Sequence, residues 1–309
     1  KYSGKNNNYR LREPELYFKK AITWSKVGSG KFSARYMPEG CLFDIAGCCI
    51  FSLNDNLNYL LGMLNSKVAA EILKLISPTI NYEVEHIKKI PIKIDTNIFR
   101  ITDKLVMQNI KLSKEDWDSS ETSWDFKYHP LLQETTVNRA YAAWKQICID
   151  RFNTLKSNEE ELNRLFIDVY DLQNELSPEE EDKEVSVRKA SLGRDIRSLI
   201  SYAVGCMFGR YSLDAEGLAY AGGDWDSSKY STFIPDKDNV IPITDEQYLD
   251  DDIVGLFIAW LKKVYGEDTH EENLNFIAKA LGVKGKTSSD VIRSYFLNDF
   301  FKDHCQTYS

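Results

Sequence analysis

Across residues 134–176 apolar side chains return every seven positions, at Tyr141, Cys148, Leu155, Leu162, Val169 and Leu176. Trp144, Leu165 and Leu172 occupy the alternate seam, which Arg151 and Asn158 interrupt. A stripe of that period commits the segment to one long helix buried along one side. The two polar interruptions argue against an unbroken coiled coil. Ser177-Pro178 predicts the stop, because a residue before proline is pushed out of helical dihedrals. The acidic run 179–184 reads as a solvated turn. A second helix over 187–208 is expected to fold back on the first as a long helix pair.

A shorter helix is predicted in 56–94, where Leu57, Leu60, Leu61, Leu64, Val68, Ile72 and Leu75 recur at helical spacing. Ser77-Pro78 ends it, an extended link follows, and Ile90-Pro91-Ile92-Lys93-Ile94 reads as a strand. Pro91 cannot donate to a ladder, so that strand belongs at a sheet edge. Further strands are expected at 21–24, 32–37 and 41–51, the last broken near Gly47. Helices over 251–265, 271–281 and 288–305 complete the chain. The expected fold class is α+β: a small mixed α/β module over 1–100, a linker over 101–133, and a mainly helical domain over 134–309. Trp117 and Trp124 are expected to pin the linker by docking against its neighbours.

Charge divides along the same line. Residues 1–100 carry 15 Lys and Arg against 9 Asp and Glu, whereas 101–309 carry 24 against 38. A basic module on an acidic protein suits a polyanion, because phosphate neutralisation supplies most non-specific affinity. The loop after the first strand concentrates suitable side chains: Lys26, Ser29, Lys31, Ser33, Arg35 and Tyr36. Lys and Arg reach phosphates or guanine acceptors, and Ser reaches either. Lys88 and Lys89 are second candidates for the backbone. The competing reading is a solvated hairpin tip. A phosphate-loop reading of Gly28-Ser29-Gly30-Lys31 fails, since Ser25 and Phe32 stand where that motif needs Gly and Ser or Thr.

Six cysteines without C-x-x-C spacing read as small apolar residues of a reducing cytoplasm. His304-Cys305 lacks further ligands, so no metal is expected. No run of eighteen apolar residues predicts a membrane span. The first residue is Lys, which suggests a piece of a longer protein.

Several strings carry a resemblance. Leu60-Leu61-Gly62-Met63-Leu64-Asn65-Ser66, Ser77-Pro78-Thr79, Ile87 and Ile90-Pro91-Ile92 resemble a pattern of target-recognition domains in bacterial DNA methyltransferases and restriction–modification proteins. The strings at 115–132, 158–176 and 200–214, the last reading ISYAVGCMFGRYSLD, resemble the carboxy-terminal half of bacteriophage-exclusion (BREX) adenine-specific DNA methyltransferases of the PglX kind. The resemblance implies a DNA-recognition role for 1–100, double-stranded DNA as partner, and S-adenosylmethionine as the parent enzyme's methyl donor. The family's Asn/Asp-Pro-Pro-Tyr/Phe motif is missing, for no Pro-Pro dipeptide occurs in the sequence. No cofactor is therefore expected in this chain, and a catalytic domain of the same parent is expected to supply the chemistry. The alternative is a protein-interaction scaffold, its acidic helical half docking a basic member of a defence complex.

Overall fold

The computed structural model describes residues 13–28, 30–44, 46–52, 56–77, 79–249 and 251–308. It divides into two compact units, one of Lys1–Leu112 with Thr154–Ser186 and one of Ser113–Asn153 with Val187–Ser309. Among the described residues there are three strands and ten α-helices, an α+β protein.

In the first unit, β1 (Ala21–Ser25) is the centre of an antiparallel sheet, flanked by β2 (Arg35–Met37) and β3 (Gly47–Ile50). The register sets Ile22 opposite Tyr36 and Ile50, and Trp24 opposite Cys48. Strand side chains alternate, so these five share the face that packs into the core, and Thr23, Arg35 and Cys49 share the other. The core is completed by α1 (Leu57–Asn65) and α2 (Lys67–Ile76).

The single helix expected over 57–75 is two. Ser66 has extended backbone; its Oγ donates to the Met63 carbonyl (2.7 Å) and accepts the Ala69 N–H (3.4 Å). One serine thus closes α1 and caps α2, a role its side chain suits better than a helix interior. The strand expected at 90–94 is not formed. Tyr170 Oη donates to the Pro91 carbonyl and accepts the Lys93 N–H, and Tyr59 Oη donates to the Lys93 carbonyl. Tyrosine hydroxyls satisfy the backbone groups that a ladder would otherwise take. A one-turn helix, α3 (Val84–Ile87), precedes this segment.

The stretch read as a linker begins inside a 20-residue helix, α4 (Phe99–Asp118). The heptad segment forms the 34-residue α5 (Val137–Tyr170). Cys148, Leu155 and Leu162 are buried as the stripe predicts. The interrupting Asn158 is buried too, its Nδ2 donating to Asn109 Oδ1 at 2.8 Å.

The second unit is built on α6 (Leu192–Met207), whose Ile196, Leu199, Ile200 and Ala203 are all at 0% exposure. Around it pack α7 (Ile253–Tyr265), α8 (His270–Leu281) and α10 (Phe300–Tyr308), with α9 (Ser288–Asn298) seated on α7, α8 and α10. Asp299 breaks the helix expected to run from 288 to 305. Arg151, the other seam interruption, is buried against Asp116 at 3.3 Å. Trp117 is more than half exposed and Trp124 fully so, contrary to the docking expected of them. The polar turn around Trp124 is held by Asp118, which accepts from Ser123 Oγ (2.7 Å) and Lys114 Nζ (2.7 Å), while Lys114 also bridges to Asp125. Such a turn needs no aromatic anchor. No described helix is long and apolar enough to cross a membrane.

Candidate functional site

The β1–β2 connection is held on three sides. Backbone pairing continues past β1, with Lys26 N–H donating to the Ala46 carbonyl (3.0 Å) and Tyr82 N–H to the Lys26 carbonyl (2.7 Å). Phe32 is buried between Trp24 and Tyr82, at ring-centroid distances of 6.1 and 5.1 Å. Asn65, the last residue of α1, clamps the far end: its Nδ2 donates to the Ala34 carbonyl at 3.0 Å and its Oδ1 accepts the Ala34 N–H at 2.8 Å. Ala34 therefore pairs with a side chain and not with β1, and β2 starts only at Arg35. The Asn-Ser pair of the Leu-Asn-Ser string divides the labour, Asn65 on the loop and Ser66 on the helix break.

The candidate side chains are distributed unevenly over this frame. Lys26 pairs with Glu83 at 3.0 Å, and Lys88 with Glu85 at 2.9 Å, so both lie beside α3; Lys89 is exposed. Lys31 and Arg35 are exposed, whereas Ser33 is half-buried. Tyr36 is half-buried against the core, so its ring is spent on packing. Ser29 lies outside the described residues.

Residues that sequence reasoning passed over face the two exposed cations. Lys31 Nζ stands 3.7 Å from Glu180 Oε1, and the Glu180 side chain is only 6% exposed. That carboxylate is fixed from behind: Asn163 Nδ2 donates to it at 2.7 Å, while the Glu180 N–H donates to Glu160 Oε1 at 3.2 Å. The acidic run is thus not wholly solvated, since Glu180 turns inward. Glu159 of α5 completes the group. Burial pushes its carboxyl up to about 7, with Glu180 adding to the rise and Lys31 and Arg35 opposing it. Partial desolvation lowers Arg35, and Glu159 offsets part of that. Both cations therefore act on the Glu159 carboxyl, while the direct contact is that of Lys31 with Glu180. Helical periodicity marks neither glutamate, because both sit at polar positions; only the fold brings them to the loop.

The loop of residues 28–30 does not fit S-adenosylmethionine. The Gly28 N–H is taken by the Ile80 carbonyl (3.0 Å) and the Gly30 carbonyl by Tyr82 Oη (3.3 Å), so these glycines do not cradle a ligand. With no Pro-Pro segment in the sequence, no methyl-transfer step is assigned to this chain.

No protein-family model matches the chain. It is 48% identical over 305 residues to the adenine-specific methyltransferase PglX of Lacticaseibacillus casei (strain Zhang), an alignment covering 94% of this chain and 25% of the relative. It is 32% identical over 336 residues to the adenine-specific methyltransferase BrxX of Escherichia coli O9:H4 (strain HS), covering 98% of this chain and 28% of that protein. The chain spans about a quarter of the length of these curated relatives.

Proposed function

Because the chain is related, over nearly its whole length, to a segment of the PglX-type adenine-specific methyltransferases, we propose that it is the target-recognition and helical carboxy-terminal part of such an enzyme, acting in phage defence. Its first unit faces double-stranded DNA through the β1–β2 connection, with Lys26, Lys31 and Arg35 on phosphates or base edges and Lys88 and Lys89 on the flanking backbone. The observation that carries this reading is the clamp of Asn65 on Ala34, which presents Lys31 and Arg35 from a fixed frame. A loop whose backbone is already held loses less freedom on binding, and that favours a defined contact over a mobile tip. Methyl transfer from S-adenosylmethionine belongs to polypeptide outside this chain, where a flipped adenine would be bound.

The test is duplex binding by the chain at low salt, followed across a salt series. The Lys31→Ala, Arg35→Ala double variant should bind more weakly and release about two fewer counterions, lowering the salt slope by roughly 2. An unchanged affinity and slope would remove both residues from the interface, and a chain that binds no duplex would remove the reading.

A second role for the other unit is favoured by Trp117 and Trp124, large aromatic surfaces left open on an acidic segment. Aromatic anchors of this kind are enriched where proteins dock. On this reading the unit takes a basic partner of a defence complex. A Trp117→Ser, Trp124→Ser variant should lose that partner and keep duplex binding.

A further inference from the structure

We propose that Glu180, with Glu159 beside it, sets the affinity of this interface, standing where nucleic-acid phosphate would stand and holding Lys31 until a polyanion displaces it. This deepens the DNA-binding reading and rests on it.

The two partners in the contact differ in mobility. Glu180 is buried and fixed by Asn163, so it cannot follow a departing cation. Lys31 has a flexible stem and a side chain 37% exposed, and its contact at 3.7 Å is loose. Exchange is therefore a swing of the cation away from a stationary carboxylate, toward a phosphate that offers the same charge. What the exchange leaves behind is two carboxylates that repel each other in a half-buried setting. Leaving them charged and unpartnered opposes binding, which raises the affinity threshold for any duplex. A correct site that adds base contacts meets the threshold more readily than a random one.

Proton uptake offers one way out. Glu159 titrates at about 7 with both cations in place. Removing them and bringing up a phosphate raises that value further, so the complex holds more protons than the free chain wherever the pH lies between the two values. Affinity should consequently be flat below about pH 7 and fall as pH rises above it, by at most tenfold per pH unit. The charged groups facing Glu159 are Glu180 from the segment after α5, Lys31 from the loop and Arg35 from β2.

The experiment measures anisotropy of a labelled mixed-sequence duplex with the 309-residue chain and its Glu159→Gln, Glu180→Gln double variant. Gln keeps an oxygen for Asn163 and removes the charge. The double variant should bind roughly three- to tenfold more tightly, and the gain should vanish on the Lys31→Ala, Arg35→Ala background. Glu159→Gln alone should flatten the fall in affinity above pH 7. Glu181→Gln is the control for bulk charge, since Glu181 is exposed and pairs with Lys183. Thermal melts establish that each variant is folded. Equal tightening by Glu181→Gln would overturn the proposal, as would no gain from the double variant, and in both cases weaker binding by the Lys31→Ala, Arg35→Ala variant would leave the DNA-binding reading standing. If that variant binds as the parent does, both fall together.

Discussion

The side-chain amide of Asn65 meets both backbone groups of Ala34, at 3.0 Å from the carbonyl and 2.8 Å from the N–H. A side-chain amide donates and accepts at once through two separate atoms, as a β-ladder partner does. Asn65→Ala should therefore release the loop without unfolding the unit, costing about 1–2 kcal/mol for two partly exposed hydrogen bonds. Hydrogen exchange at the Ala34 amide should accelerate while the β1 amides stay protected. Asn65→Asp keeps the acceptor but turns a charge toward the Ala34 carbonyl, and should recover less than half of the loss. Unchanged protection at Ala34 in both variants would show that Phe32 alone seats the loop.

Gly205 lies under the Tyr211 ring. A Cβ at this position would come within 2.5 Å of Tyr211 Cδ2 and 2.9 Å of Cε2. The ring has no room to retreat, for it is at 1% exposure and stacks on Tyr202 at 5.0 Å. Gly205→Ala gains about 1 kcal/mol of helix propensity and should nonetheless lose 2–3 kcal/mol net by overpacking. Pairing it with Tyr211→Leu should return part of that loss. A stabilised Gly205→Ala in urea denaturation would mean that the ring shifts freely.

Glu159 also makes stability depend on pH, and the sign follows from the direction of its shift. Its carboxyl is raised from 4.5 to about 7 on folding, so the folded chain holds this proton more tightly than the unfolded one. The stabilisation from the retained proton is full below about pH 4.5 and is lost as pH rises toward 7, on the order of 3 kcal/mol in total. Gln cannot ionise. Glu159→Gln should match the parent near pH 4.5 and exceed it by about 1–3 kcal/mol at pH 8. Parallel stability curves for the two proteins across that range would show that Glu159 is ordinarily solvated.

How far the sequence reaches depends on which force decides each element. Where apolar burial decides, periodicity finds the answer: the stripe through Cys148, Leu155 and Leu162 is buried, and Ile22 and Trp24 face the core. Where a polar side chain decides, it does not. Ser66 breaks a helix that the leucine spacing runs straight through, and the hydroxyls of Tyr59 and Tyr170 replace the strand that Ile90, Ile92 and Ile94 suggest. α4 was hidden because its last two turns are polar and acidic, and its terminal Trp117 points to solvent. At the candidate interface the cations were legible and their counter-charges were not. Lys31 and Arg35 stand out in a basic loop, but Glu159 and Glu180 lie more than a hundred residues away and are joined to them only in three dimensions.

The buried pair of Asp252 and Arg293 gives a test of how the second unit is locked. Asp252 is at 0% exposure, and its two oxygens have separate duties: Oδ1 accepts the Gly255 N–H at 2.8 Å and caps α7, while Oδ2 meets Arg293 Nη1 at 2.6 Å. The same Nη1 donates to the Thr244 carbonyl at 2.9 Å, tying the irregular segment before α7 to α9. Removing one charge leaves the other buried without a partner, so Asp252→Ala should cost about 3–5 kcal/mol and Arg293→Met a similar amount. Asp252→Asn keeps the cap and loses only the charge. Combined with Arg293→Met it leaves neither ion stranded, and the double variant should be less destabilised than the sum of its single changes by at least ~1.5 kcal/mol. Additive losses in the urea double-mutant cycle would mean that water reaches the pair, and that α7 and α9 are held by their apolar faces alone.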